Sequence, residues 1–124
     1  MNKSITGIIP GIILIIFLVI IIGIVSSNTN KSSSNYSVLK DYMSADNIKN
    51  TLSIITECEI KNYNIERDES LDTLDGENTI GFRLKSDNYN VVMYVKNGIV
   101  NSIRYADNDL YRNNTVLKKI TEVK

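Results

Sequence analysis

Residues 80–103, IGFRLKSDNYNVVMYVKNGIVNSI, decide the fold because apolar and polar side chains alternate along much of their length. A period of two is typical of a strand that buries one face. A two-residue turn at Asp87-Asn88 would place apolar residues of the first strand opposite apolar residues of the second. The predicted pairs are Ile80 with Val95, Phe82 with Met93, and Leu84 with Val91. The stretch therefore predicts an antiparallel hairpin with one apolar face.

The next turn contains Asn97-Gly98, a strong signal for a hairpin. A plain two-residue turn there would place polar residues of the third strand on the apolar face. A three-residue loop, with Gly98 in the left-handed region, keeps that face continuous. We therefore predict the three-residue loop, whose pairs are Val95 with Ile99 and Val91 with Ile103.

The residues around this sheet complete an α+β domain. Residues 38–57 are predicted to be helical with a possible break near Ser44, whose hydroxyl suits an N-cap. The helix carries an apolar stripe at helical spacing, formed by Ile48, Leu52 and Ile55. A first strand is predicted over residues 58–65, and the tail, residues 107–124, suits either a strand or a short helix. The prediction is one amphipathic helix packed on an antiparallel β-meander of three to five strands.

The N-terminal segment differs from the rest of the chain. Residues 5–25, ITGIIPGIILIIFLVIIIGIV, form a run of 21 residues without a charge. A helix of that length spans roughly 30 Å, the thickness of a hydrocarbon core. We therefore predict an uncleaved transmembrane helix that contacts the lipid bilayer. A cleaved signal peptide is the alternative, with a poor cleavage site at 25–27, although signal peptides have a shorter apolar core of about 7–15 residues.

The flanking charges predict how this helix is oriented. Lys3 and the α-amino group precede it, whereas Lys31 follows at a greater distance. Cytoplasmic flanks carry the excess of positive charge. We expect a single-pass signal-anchor protein of the cell membrane with a cytoplasmic N-terminus. The predicted organisation is an anchor over residues 1–25, a polar linker over 26–36 and an extracytoplasmic domain over 37–124.

Composition excludes several classes of function. Lys3 is the one base before residue 26, so 13 bases and 14 acids remain beyond the anchor. This balance lacks the positive patch that nucleic-acid binding needs, and we predict no nucleic-acid partner. One cysteine, Cys58, cannot form an internal disulfide. The chain has no histidine, which removes the usual general base and the commonest metal ligand.

An acidic segment is the most conspicuous polar feature. Between residues 57 and 77 the chain holds eight acids and two bases, most densely in ERDESLDTLDGEN. Carboxylates at this density suit Ca²⁺ outside the cell, but the spacing of a helix–loop–helix calcium site is absent. Asp75-Gly76 reads as an ordinary turn. We predict that the loop over residues 66–77 is solvated and leave Ca²⁺ binding there as the alternative.

Other residues whose side chains could take part in catalysis have simpler structural interpretations. Two pairs of nearby carboxylates are candidates for acid–base chemistry, Glu57 with Glu59 and Asp107 with Asp109. Cys58 lacks a histidine to activate it and is predicted to be a small buried residue, with an intermolecular disulfide as the alternative. We therefore assign no catalytic, cofactor-binding or metal-binding residue and predict no cofactor.

These observations favour a non-enzymatic, membrane-tethered module that binds a protein or a cell-envelope component. Tyr94 and Tyr111 are predicted to face outward as contact residues, because tyrosine combines a large apolar body with a polar tip. A small carboxylate- or metal-dependent enzyme is one alternative. A pilin-like structural subunit is another, although pilins carry a glutamate early in the apolar helix and the first acid here is Asp41. Membrane-active peptides and inhibitors of membrane complexes complete the alternatives.

Overall fold

The computed structural model describes residues 34–123. In this range the chain forms one main helix and one antiparallel sheet of six strands, which confirms the predicted small α+β domain. The helical residues 34–39 are named α1, and the main helix, α2, is Ala45–Glu57. The strands are β1 Asn64–Arg67, β2 Thr79–Lys85, β3 Asn90–Lys96, β4 Ile99–Tyr105, β5 Asn108–Arg112 and β6 Thr115–Val116. Short 3-10 helices lie at Glu69–Leu71 and Ile120–Glu122.

The predicted transmembrane helix, residues 5–25, lies outside the described residues. The possible cleavage site at 25–27 and the flanking Lys3 and Lys31 lie outside them as well. Within residues 34–123, no helix is both long enough and apolar enough to cross a membrane.

The sheet is the predicted meander, because each strand pairs antiparallel with the next one in the chain. It has six strands rather than three to five, and the additional pairing comes from the tail. Residues of the tail form β5 and β6, followed by a 3-10 helix. Asn113 and Asn114 connect the two strands with φ of 55° and 60°, a conformation that asparagine adopts more readily than most residues. The tail therefore contains both kinds of structure that its sequence allowed.

The helical region breaks at Ser44, as predicted. The backbone N–H of Met43 donates to the carbonyl of Leu39, which closes α1 with a turn. The hydroxyl of Ser44 then accepts a hydrogen bond from the N–H of Asn47 at 3.2 Å and caps α2. The predicted stripe faces the sheet, with Ile48 and Ile55 buried and Leu52 half-buried.

The β2–β3 register is confirmed at each of its three predicted pairs. The structure pairs Ile80 with Val95, Phe82 with Met93, and Leu84 with Val91. Ser86 donates its backbone N–H to the carbonyl of Tyr89, so that Asp87 and Asn88 form the connecting turn. The paired residues form the centre of a core that α1 and α2 cover on one side.

The β3–β4 connection differs from the predicted three-residue loop. Asn97 and Gly98 alone form the turn, with φ of 53° and 76°. Two-residue turns with positive φ at both positions match the twist of the flanking strands, which explains their preference in hairpins. The observed pairs are Lys96 with Ile99, Val95 with Val100, Tyr94 with Ser102, and Met93 with Ile103. The structure therefore corrects two predicted pairs, Val95 with Ile99 and Val91 with Ile103.

A β-bulge restores the apolar face that a plain two-residue turn would lose. Asn101 is the extra residue, because Val100 and Ser102 pair with consecutive residues of β3. Beyond the bulge Ile103 is buried, whereas Ile99 before it is 52% exposed. The bulge therefore keeps the core continuous, while the turn before it leaves Ile99 on the surface beside Lys96.

The first strand begins later than predicted. β1 starts at Asn64, whereas the apolar pattern predicted a strand over residues 58–65. Cys58 is the C-cap of α2, and the chain then turns at Glu59 and Asn62, whose φ values are 61° and 54°. Residues with positive φ cannot continue a strand, so the chain turns at these positions before β1 begins.

The folded domain includes residues that composition assigned to the linker, 26–36. Asn35 in α1 is 3% exposed and lies against β1, the edge strand of the sheet. Its Oδ1 accepts a hydrogen bond from the N–H of Ile65 at 2.8 Å, and its Nδ2 donates to the carbonyl of Tyr63 at 3.4 Å. One amide side chain therefore supplies the acceptor and donor that a neighbouring strand would supply. Residues 34–36 thus belong to the domain, earlier than the predicted boundary at 37.

We expect Asn35→Ala to lower the free energy of unfolding by about 2 kcal/mol, because it leaves a buried N–H of β1 without its acceptor. Urea unfolding followed by tyrosine fluorescence measures the change. Asn50→Ala removes the same group from an exposed position of α2 and should have little effect. Equal effects of the two substitutions would contradict this role for Asn35.

Candidate functional site

The acidic segment packs on the sheet instead of extending into solvent. Residues 68–78, named the strap, cross the face opposite α2. Leu71 is buried there, directly above Gly81 of β2, and a Cβ at position 81 would overlap the Cβ of Leu71. Gly81 also donates its N–H to Asp72 at 2.8 Å and accepts from the N–H of Asp68 at 3.0 Å. The sheet is therefore covered on both faces, by helices on one and by the strap on the other.

Each of the three strap aspartates binds an arginine from the sheet. Asp72 and Arg67 form a bidentate pair, with both N–O distances at 2.7 Å. The other two pairs join Asp68 to Arg83 at 2.6 Å and Asp75 to Arg112 at 2.6 Å. Charge-assisted bonds of this length are the stronger class of protein hydrogen bond. The charges of the three strap aspartates are therefore paired with arginines of the strands beneath them.

Asp75 has the most buried carboxylate of these pairs, with 11% of its side chain exposed. Besides Arg112, it accepts hydrogen bonds from the hydroxyl of Ser102 and the amide of Asn101, both at 2.6 Å. Arg112 also binds Asp109 at 2.7 Å. Asp75 therefore joins the strap to β4 and β5, and it fixes the plane of the Asn101 amide at the bulge.

The arginine and hydroxyl donors lower the pKa of the strap aspartates. Hydrogen bonds from Ser70 and Arg83 lower the pKa of Asp68 from 3.8 to about 2. Hydrogen bonds from Arg67 lower the pKa of Asp72. For Asp75, burial acts to raise the pKa, but donation by Arg112, Ser102 and Asn101 outweighs it and the pKa is lowered. These carboxylates are thus ionised at neutral pH and are poor general acids.

The lowered pKa values predict acid sensitivity below pH 4. A carboxylate whose pKa falls on folding stabilises the fold above its unfolded pKa and loses that contribution as the pH falls through its folded pKa. From the values for Asp68, we expect stability to fall between pH 3.8 and about 2. The chain has no histidine that could titrate near pH 6.5. Urea midpoints measured across this range test the prediction, and a main loss of stability between pH 7 and 5 would contradict it.

Two of the other predicted candidates, Asp109 and Glu59, form contacts within the domain. Asp109 binds Arg104 and Arg112, and Asp107 lies exposed in the preceding turn. Glu59 accepts a hydrogen bond from Thr121 at 3.1 Å. Among residues 34–123, no three acidic or thiol side chains are grouped closely enough to hold a metal ion.

Cys58 is buried at the junction of α2 and the following turn, as predicted. Its thiol lies 3.9 Å from the carbonyl of Leu110. Burial, followed by the charge of Glu57, raises the pKa of this thiol to about 11. The thiol is therefore protonated at neutral pH and is a poor nucleophile.

The predicted outward positions of Tyr94 and Tyr111 are wrong. Their exposed fractions are 7% and 5%. Tyr94 pairs with Gly81 on the face that the strap covers. A register shift between β4 and β5 places Tyr111 opposite Ile103, on the face that α2 covers. Alternation along a single strand revealed neither the strap nor the shift.

A surface groove lies where the β3–β4 and β5–β6 turns meet. It has a volume of about 300 Å³ and is named the amide groove. Its described lining consists of Lys96, Asn97, Ile99, Val100, Asn101, Asn113 and Asn114. Four of these seven residues are asparagines, each of which offers an acceptor and two donors. The groove therefore combines amide groups with the exposed apolar side chain of Ile99.

The amide groove was not predicted from the sequence, although one of the two turns that form it was. Asn97-Gly98 indicates a turn, and three of the four asparagines occupy positive-φ positions that favour asparagine for backbone reasons. Asn101 is the exception, because it lies in β4 at the bulge. Only the register shows that this residue and the two turns share one end of the sheet.

Comparisons of the chain with protein families, with curated proteins and with solved structures give no match.

Proposed function

We propose that this protein is a non-enzymatic interaction module, tethered to the cell membrane through residues 5–25 with its α+β domain outside. The domain binds a protein or a cell-envelope component through the amide groove. The anchor and its orientation are inferred from the uncharged N-terminal run and its flanking lysines. The binding surface is inferred from the side chains at the groove.

The exposure of Ile99 is the observation that carries this proposal. A branched apolar side chain that is 52% exposed beside a groove is a candidate anchor for a partner, since buried apolar contacts dominate many interfaces. Single exposed apolar residues are common, so its surroundings matter. Here the two-residue turn pairs Ile99 with the exposed Lys96 and leaves it on the surface, while the β-bulge that follows keeps Ile103 in the core.

The position of the amide groove within the domain agrees with a tethered module. The chain enters the domain at α1, where Asn35 contacts residues at the start of β1. Asn64 at that start pairs with Lys85, beside the β2–β3 turn. The groove lies at the opposite end of the sheet, with the β3–β4 and β5–β6 turns. A partner at the groove would therefore approach the end of the domain away from the point of chain entry.

The strap favours a binding module over a carboxylate-dependent enzyme. Its aspartates direct their oxygens to arginines, and the pKa values of Asp68, Asp72 and Asp75 are lowered. General acids and bases work best with pKa values near the operating pH. The same pairs occupy the oxygens that a metal ion would need.

Photo-crosslinking in cells tests the proposal. A photoreactive residue is placed at position 99 and, as a matched control, at position 117, where Leu117 is 54% exposed just after the edge strand β6 and outside the groove lining. We expect one discrete adduct from position 99 and none from position 117. Deletion of residues 5–25 should abolish the adduct, because the domain then leaves the membrane. Adducts of equal yield from both positions, or no adduct from either, would overturn the proposal.

A further inference from the structure

We infer that the amide groove binds an extended peptide segment of a partner protein, with an apolar side chain on Ile99. This inference rests on the proposed function, since it names the class of partner for the same surface. It follows from the chemistry of the lining, from the fixed position of one amide and from the distribution of charge.

The lining matches the chemistry of a peptide backbone. A peptide group carries one donor and one acceptor, and an asparagine amide can bond to both at once. The groove is lined by four asparagines beside the exposed aliphatic side chain of Ile99. In an extended peptide, backbone groups and side chains alternate in direction. Such a segment can therefore bond to the amides while it places an apolar side chain on Ile99.

Asn101 is held in place before any ligand binds. Its Nδ2 donates to Asp75 at 2.6 Å, and Arg112 holds the other oxygen of that carboxylate at 2.6 Å. The amide plane is therefore set by the strap and β5 as well as by the bulge. A side chain that is already ordered loses less rotamer freedom on binding. Among the four asparagines, Asn101 is thus the one we expect to contribute most to affinity.

The described lining favours a peptide over a carbohydrate. Its exposed apolar side chain, that of Ile99, is aliphatic, whereas sugar rings are commonly bound by stacking on an aromatic side chain. Its described residues carry a single charge, that of the exposed Lys96. A positive charge at the rim favours a peptide with an acidic side chain near its apolar residue. The expected ligand is therefore an extended segment with an apolar residue close to Asp or Glu.

Phage display of random linear peptides on the full-length chain in nanodiscs tests this inference. The wild-type chain, the Asn101→Leu variant and the Asn88→Leu variant are used in parallel. Asn88 is an exposed asparagine in the β2–β3 turn, away from the groove, and serves as the matched control. We expect enriched peptides that combine an apolar residue with an acid. They should bind the Asn88→Leu variant as they bind wild type and lose at least about tenfold in affinity on Asn101→Leu, as expected when a bound polar group loses its partner.

Two results would overturn the inference. One is the absence of enrichment, and the other is enrichment of peptides that bind all three chains equally. Co-sedimentation of the chain with insoluble cell-wall polysaccharide, lost in Asn101→Leu, would instead assign the groove to a glycan. After any of these three results the crosslink from position 99 can still form. Failure of the peptide inference is therefore distinguishable from failure of the proposed function. Urea unfolding of each variant shows whether its fold is intact.

Discussion

Replacing Phe82 with alanine is expected to lower the free energy of unfolding by about 4 kcal/mol. Phe82 is 0% exposed in the middle of β2, so the truncation leaves a cavity at the centre of the core. Its ring also meets Tyr42 edge to face, with centroids 5.3 Å apart, and lies 5.6 Å from the guanidinium of Arg67. The substitution therefore removes contacts to the turn between α1 and α2 as well as to the sheet. Urea unfolding measures the loss.

A conservative variant separates lost volume from lost aromatic contacts. Phe82→Leu keeps most of the apolar volume and is expected to cost about 1–2 kcal/mol. Leu117→Ala truncates an exposed apolar residue and should change stability by less than about 0.5 kcal/mol. A cost below about 1 kcal/mol for Phe82→Ala would mean that the core refills the cavity or that position 82 is not central to it.

Replacing Asp75 with alanine is expected to have the second largest effect, a loss of about 3 kcal/mol. The substitution removes the carboxylate that accepts hydrogen bonds from Arg112, Ser102 and Asn101. It leaves three donors beneath the strap without their common acceptor. Asp107→Ala removes an equal charge from an exposed turn and serves as the control in urea unfolding.

A second substitution shows whether the loss comes from the unpaired charge. Arg112→Met in the Asp75→Ala background removes the guanidinium that has lost a partner. We expect the double variant to recover part of the stability, because replacing both members of a charge pair is often milder than removing one. Asp109 keeps its bond to Arg104 in this variant. If Asp75→Ala were as mild as Asp107→Ala, the strap would not depend on Asp75.

The sequence predicted those parts of the fold that depend on local periodicity. The register of β2 with β3 follows from strict alternation on both strands and a short turn between them. The N-cap at Ser44 and the stripe of α2 follow from spacing within one helix. In each case the residues that determine the geometry are near neighbours in the chain, so the pattern can be read without knowledge of the fold.

The remaining features depend on contacts between distant residues. The bulge at Asn101 compensates for a turn whose length is fixed by Asn97-Gly98, and alternation alone gave a longer loop instead. The strap aspartates looked like solvated acids because their arginines lie up to 37 positions away. Asn35 looked like linker because its role depends on the edge of β1. The amide groove was not predictable for the same reason, since its lining comes from two turns and a bulge.

The meander has a consequence for how the domain forms. Because strands adjacent in the sheet are adjacent in the chain, the connections from β2 to β6 close short loops, and only the strap between β1 and β2 is longer, so the entropic cost of loop closure stays low. Sheets built from local pairings fold faster than those with long crossovers, as the relation between contact order and rate describes. The sheet can therefore grow one hairpin at a time from β2–β3. Two long-range closures then complete the domain: Asn35 joins α1 to β1, and the N–H of Ile120 joins the C-terminal 3-10 helix to the carbonyl of Cys58 at the end of α2.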